Sequence, residues 1–247
     1  MVSKIVKKIK KTSSLENPSV LLLGIPGPGL IGTITTTYII HALKMDLVGE
    51  IVNSPTTIVF VDNGQIMGPV RIYKKDNLFA VLSDIPIDYD NALGFTGSVI
   101  DFSKKNNIDL VVFMSGIHVP ERNISNLKTY GLVTHEKLEK ILYDNEIPKF
   151  LSGVISGPDA TILTQLKNSS IPTIAFNTEC NYFFPDPDAA MQTIKMISKI
   201  TKKDIDLTEF KKQMDYLRLQ NRQLMEDTLN VLQAQQESST TPPQIYK

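Results

Sequence analysis

Apolar runs rich in β-branched residues recur along the chain at 20–23, 57–61, 78–82, 110–114, 150–155 and 173–176. Most are bounded by Gly, Pro, Asn or Asp, which predicts strands. The runs at 20, 110 and 173 do not alternate apolar with polar residues. Strands covered by helices on both faces read this way. Between the runs, five segments predict helices: 30–43, 95–106, 134–145, 159–166 and 188–201. Thr134 is the predicted N-cap of the third, which carries an apolar stripe of Leu138, Ile141 and Leu142. Asp159 and Asp188 stand at the starts of the last two, where a negative charge suits the helix dipole. Alternating strands and helices predict an α/β fold, a β-sheet sandwiched by helices. Asp62-Asn63-Gly64 predicts a tight hairpin, so the sheet should be mixed rather than all parallel.

The texture changes after residue 203. Asp206 and Glu209 have capping-box spacing. From there a seam recurs in alternating steps of three and four: Leu207, Phe210, Met214, Leu217, Asn221, Leu224, Thr228 and Val231. A period near 3.5 residues predicts a coiled-coil or bundle helix, and polar Asn221 on the seam would select register and oligomer state. An amphipathic helix folded back on its own domain is the alternative. Beyond residue 234 the chain is polar and proline-containing, which predicts a flexible tether. The expected organisation is an α/β domain over 1–203, an oligomerisation helix over 204–234 and a disordered tail over 235–247. The tail ends in Ile245, Tyr246 and Lys247, an apolar and an aromatic residue out of place on a polar leash unless something receives them.

Charge and cysteine usage narrow the function. Lys plus Arg and Asp plus Glu both number 26, so neither nucleic acid nor a membrane surface has a general electrostatic hold on the chain. The lysines at 4, 7, 8, 10 and 11 read as a solvated edge or chain end. No apolar stretch approaches about 18 residues, so no membrane span is expected. Cys180 is the single cysteine. It can form no intrachain disulfide and no cysteine metal cluster, which fits a cytoplasmic protein.

Several motifs could carry chemistry. Gly27, Gly29 and Gly32 have the G-x-G-x-x-G spacing of dinucleotide sites, after a strand and before a helix. Pro26 and Pro28, however, remove amide donors from the loop that would cradle phosphate. The other reading of Gly24, Gly27, Gly29 and Gly32 is a tight strand-to-helix crossing. Gly153 and Gly157 repeat the theme and read as a buried turn. Ser115 and His118 lie near a strand's C-terminal end, but no G-x-S-x-G elbow surrounds the serine. Cys180 beside Glu179 could pair a nucleophile with a base, yet a single cysteine is commonly a small buried hydrophobe. His41, His118 and His135 lack metal-ligand spacing. Asp84, Asp88 and Asp90 could cluster, or solvate a loop. No catalytic residue, metal site or cofactor is expected. The alternative is a nucleoside-phosphorylase-like or other small-ligand enzyme using the loop 24–32.

Three blocks in order carry a resemblance: 20–32 (VLLLGIPGPGLIG), 153–158 (GVISGP) and 182–190 (YFFPDPDAA). Together they resemble the proteasome assembly chaperone (PAC) family, in particular its archaeal members. The resemblance covers 18–202. It implies a nucleoside-phosphorylase-like fold, with a mixed sheet between helices, and a homo-oligomer, a tetramer, acting without ATP. Ile245-Tyr246-Lys247 is similar to the hydrophobic–tyrosine–any-residue motif with which proteasome activators and assembly factors engage the α-ring. The implied partner is therefore the α-ring of the 20S proteasome, and the implied role is a non-enzymatic assembly chaperone or activator.

Overall fold

The computed structural model describes residues 18–52, 58–119, 123–181 and 184–213. The N-terminal lysines, the seam from Met214 onward and Ile245, Tyr246 and Lys247 lie outside them. In chain order the elements are β1 (Val20–Gly24), α1 (Ile31–Ala42), β2 (Asp46–Glu50), β3 (Phe60–Asp62), β4 (Gln65–Met67), β5 (Val70–Lys75), β6 (Leu78–Ser83), α2 (Tyr89–Lys105), β7 (Leu110–His118), β8 (Thr129–Val133), α3 (Glu139–Asp144), α4 (Pro158–Asn168), β9 (Thr173–Cys180) and α5 (Pro187–Thr201).

Seven strands form one sheet in the order β2-β5-β6-β1-β7-β9-β8. Its centre, β6-β1-β7-β9, is parallel. Both margins are antiparallel, β2 and β5 on one side and β8 on the other. The sheet is thus mixed, but not through the 62–64 hairpin, which forms β3 and β4 as a separate two-stranded sheet; its antiparallel strands are three that the apolar runs did not mark, β2, β5 and β8. Parallel neighbours need a crossover. The chain supplies α2 between β6 and β7 and α4 before β9.

The two-sided burial expected of β1 is present: Val20 to Leu23 are at most 2% exposed. Successive side chains alternate faces. Leu21 and Leu23 join Val81, Phe113, Phe95, Phe102, Ile162 and Leu166 in the core beneath α2 and α4. Phe79 and Phe102 meet edge to face with centroids 5.7 Å apart. The stripe that α2 turns inward is Ala92, Phe95, Val99 and Phe102, with buried hydroxyls among them. Those hydroxyls donate to backbone carbonyls one turn back, Thr96 to Ala92 at 2.6 Å and Ser103 to Val99 at 2.8 Å, which is how a helix buries such groups. On the opposite face α1 packs on α5. A threonine pair, Thr178 and Thr193, links β9 to α5 with hydroxyls 2.7 Å apart.

Three local expectations are corrected. Residues 150–155 form no strand. Phe150 N–H donates to Gly131 O at 2.9 Å, and the segment then leaves β8, with Leu151 88% and Val154 93% exposed. The ladder ends because only one bridge, Gly131 to Lys149, holds the segment to the sheet edge. Thr134 caps no helix. Its hydroxyl accepts the Thr173 N–H at 3.0 Å, tying the end of β8 to β9, and a 3-10 turn over Glu136–Leu138 precedes α3. The Gly153–Gly157 turn is exposed rather than buried.

The chain divides after Ile205. In the following segment, Asp206 accepts the Thr208 N–H at 2.8 Å; hydrogen bonding from the Thr208 side chain first, and from its backbone N–H second, holds the Asp206 carboxyl below the usual range. Residues 208–213 are helical, with Phe210 buried and Leu207 partly exposed.

Candidate functional site

The glycine loop is a packing device. A Cβ on Gly24 would overlap the Thr36 hydroxyl of α1 and lie 2.7 Å from Gly32 O. One on Gly32 would lie 2.7 Å from Ile25 O and 3.1 Å from Met114 O. Gly29 has φ +64°, a left-handed conformation that favours glycine. Its missing side chain leaves room for Cys180 Cβ and Asn181 O, both 3.1 Å from the Cβ position. Gly27, by contrast, has extended backbone at φ −155° and nothing within 4 Å of a Cβ. At three of the four sequence-predicted glycines, protein atoms therefore occupy the space that a side chain would need. This geometry matches the tight-crossing reading of the loop.

The seal on this crossing comes from a residue the sequence reading did not single out, Asp186. Its carboxylate accepts the Asn181 N–H at 2.7 Å and caps α5 through Ala189 N–H at 3.2 Å. Its own N–H donates to Gly29 O at 2.8 Å. The signal was the Asp-Pro-Asp at the helix start, where the first Asp is the cap and Pro187 takes the first turn. Opposite, Gly116 of β7 receives the loop, since a Cβ there would be 2.9 Å from Pro28 O and would overlap Cys180 Sγ.

The remaining candidates separate rather than converge. Ser115 and His118 are three apart on β7 and so face opposite sides of the sheet. Ser115 instead donates from Oγ to Asp159 Oδ2 in the first turn of α4, at 2.5 Å. Burial pushes the Asp159 carboxyl up, and the serine bond partly opposes this. Cys180 is fully buried, whereas Glu179 points to the other face and accepts from Tyr130 OH at 3.1 Å and Lys128 N–H at 3.1 Å. Burial, and then the Glu179 carboxylate, raise Tyr130 above the ordinary phenol range. The three aspartates have separate partners as well. Asp84 pairs with Arg71 at 2.5 Å, Asp88 caps α2 by accepting Asn91 N–H at 2.8 Å, and Asp90 lies in that helix's first turn. Among the described residues no group of three His, Cys, Asp or Glu is placed to hold a metal, and no helix is long and apolar enough to cross a membrane.

A seven-stranded mixed sheet, with a glycine-sealed crossing at its central strand and helix pairs on both faces, defines an α/β sandwich. The chain belongs to the PAC2 family, whose sequence signature matches residues 21–225. Its fold is that of two proteins of Pyrococcus furiosus. PbaA, described as an archaeal homolog of proteasome-assembly chaperone, superposes with a TM-score of 0.81 at 19% identity, covering 97% of this chain and 100% of that one. PbaB, described as an archaeal proteasome activator, gives 0.75 at 20% identity over 91% and 99%. In sequence, uncharacterized protein MJ0106 of Methanocaldococcus jannaschii is 24% identical over 230 residues, 93% of each chain.

Proposed function

We propose that this chain is an ATP-independent proteasome-binding factor, an assembly chaperone or activator, that docks Ile245, Tyr246 and Lys247 into pockets of the 20S α-ring. The observation that carries the reading is the pairing of a PAC2 fold with a C-terminal Ile-Tyr-Lys. The fold likeness to PbaA and PbaB, proteins described by proteasome roles, supports it.

The chemistry of the three residues suits the task. Ile245 supplies an apolar anchor. Tyr246 supplies rigid aromatic area with a polar tip, a residue type enriched at binding hot spots. A chain-terminal carboxylate on Lys247 would pair with a cationic side chain in the receiving pocket. One such tail buries little surface. The helical seam Leu207, Phe210, Met214, Leu217, Asn221, Leu224 and Val231 would join copies of the chain, a tetramer in this reading, so that several tails reach one ring together. Linked tails then act at effective concentrations of about millimolar.

Pro26 and Pro28, which remove amide donors from the loop, favour this over a phosphate-binding enzyme. Competition tests it. A free peptide ending in Ile-Tyr-Lys should displace the full chain from purified 20S particles, and the same peptide with Ala in place of Tyr should not. Displacement by neither peptide, with the chain still bound, would move the contact elsewhere on the molecule.

A further inference from the structure

Asn63 is the one asparagine in the chain that a glycine follows. Asparagine is among the thermolabile residues, and its breakdown begins with its own neighbour. The backbone nitrogen of the next residue attacks the side-chain carbonyl carbon, and a following glycine has no side chain to hinder that approach. Asn63 and Gly64 form the two-residue loop between β3 and β4, closed by the pair Asp62 and Gln65. Both loop residues are exposed, and no protein atom lies within 4 Å of a Cβ position on Gly64. Asn168 also precedes a small residue, but there the attacking nitrogen is engaged. Ser169 N–H donates to Gln165 O at 3.0 Å and to Leu166 O at 3.2 Å.

The hairpin controls this chemistry. Asn63 has φ +49° and Gly64 φ +77°, the left-handed pair of a type I′ turn. A left-handed residue has ψ of about +47°. At that angle the Gly64 nitrogen points away from the Asn63 side chain, so the closed turn blocks the attack. The protection is only as good as the hairpin. β3 and β4 form a sheet of their own, separate from the seven-stranded one, and a lone two-stranded hairpin is marginally stable in water. Its support includes the Phe60 ring, whose centroid lies 5.5 Å from the Arg71 guanidinium. Weakly held elements of this kind open locally while the rest of the fold stays intact.

We propose that Asn63 is a deamidation site gated by the hairpin, protected when the turn is closed and reactive when it opens. In the open form the Gly64 nitrogen bonds to Asn63 Cγ, the Cγ–Nδ2 bond breaks, and ammonia leaves with the proton of the Gly64 N–H. Water then opens the succinimide ring, so ammonia is exchanged for water with no oxidation or reduction. Cleavage of the new bond to Cγ leaves aspartate. Cleavage of the original peptide bond leaves isoaspartate, whose main chain runs through the side-chain methylene. Aspartate tolerates the left-handed conformation, and the turn closes again. Isoaspartate lengthens a two-residue loop by one carbon and holds the hairpin open.

The folded full-length chain is incubated at neutral pH beside a free peptide of residues 58–69. Samples taken over time are digested and weighed, and isoaspartate is counted by enzymatic methylation. Position 63 is expected to convert before any other described asparagine, about tenfold more slowly than in the peptide, because the turn must first open. Phe60→Ala removes the ring beside Arg71 and should bring the rate to within about threefold of the peptide's, with the circular dichroism of the parent. An intact position 63 after the peptide is spent overturns the inference, since the turn would then not open. Conversion at the peptide's own rate also overturns it, since closure would then protect nothing. So does an unchanged rate in Phe60→Ala. If that variant does not fold, the parent is incubated in urea below its unfolding transition instead. The rate at position 63 should then rise while the circular dichroism holds, and a flat rate counts against the gate.

Discussion

Ser115 Oγ and Asp159 Oδ2 are 2.5 Å apart and join β7 to the first turn of α4 across 44 positions of sequence. The bond fixes where α4 begins over the sheet, and with it the α2–α4 layer that covers the main core. Burial raises the Asp159 carboxyl, so its protonated form is favoured more in the fold than in the unfolded chain. The stabilisation linked to that proton is fully present below the ordinary value of 3.8. It is lost as pH rises through the raised folded value. Asp159→Asn keeps an oxygen to accept from Ser115 and removes the titration. The stability of the variant relative to the parent should therefore increase from pH 3.5 to pH 7 in denaturant melts. Ser115→Ala, which removes a bond favouring the charged form, should raise the Asp159 titration further by NMR.

The glycine crossing predicts different costs at Gly24 and Gly27. Gly24→Ala forces a methyl into Thr36 and the Gly32 carbonyl, and should cost about 1–3 kcal/mol by overpacking. Gly27→Ala meets open space on extended backbone and should stay within about 0.5 kcal/mol of the parent. Urea midpoints at constant slope measure both. Equal costs at the two positions would mean that Gly27 has a contact partner of its own.

Phe102 is 2% exposed and meets Phe79 edge to face in the layer beneath α2. Phe102→Ala should cost about 3–5 kcal/mol, the transfer of the ring plus the cavity it leaves. Calorimetric unfolding of the two proteins gives the difference.

The centre of the fold was legible because its strands are buried on both faces. The apolar runs at 20, 78, 110 and 173 correspond to β1, β6, β7 and β9. The margins were harder to read. In β5, Arg71 breaks the apolar run, yet it is buried through its ion pair with Asp84, an interaction that sequence does not display. In β8, Tyr130 and Gly131 leave a weak strand signal, and the strand forms because β9 offers it an edge. Residues 150–155 have the opposite problem, with strand composition but no second strand to hold them past Phe150. The crowding at Gly24, Gly29 and Gly32 comes from neighbours in space, Thr36, Cys180 and Ile25, which local sequence does not display. The Asp-Pro-Asp at 186–188 signals the helix cap, but the bond from Asp186 N–H to Gly29 O and the Ser115–Asp159 bond join distant positions and could not be found by local pattern.

In the proposed seam of 207–231, Asn221 would occupy a core position. A polar residue at such a position trades stability for register and oligomer number. Asn221→Leu should change the mass measured by light scattering or sedimentation, with the α/β domain's circular dichroism unaltered. An unchanged mass would indicate that the segment packs within its own subunit.

Removal of Ile245, Tyr246 and Lys247 addresses the proteasome reading most directly. Full-length and shortened chains, matched in oligomer mass, are titrated against purified 20S particles. The account predicts saturable binding by the full chain and a loss of about a hundredfold or more in affinity without the three residues, as several linked tails fail together. Equal affinity for the two chains would contradict it.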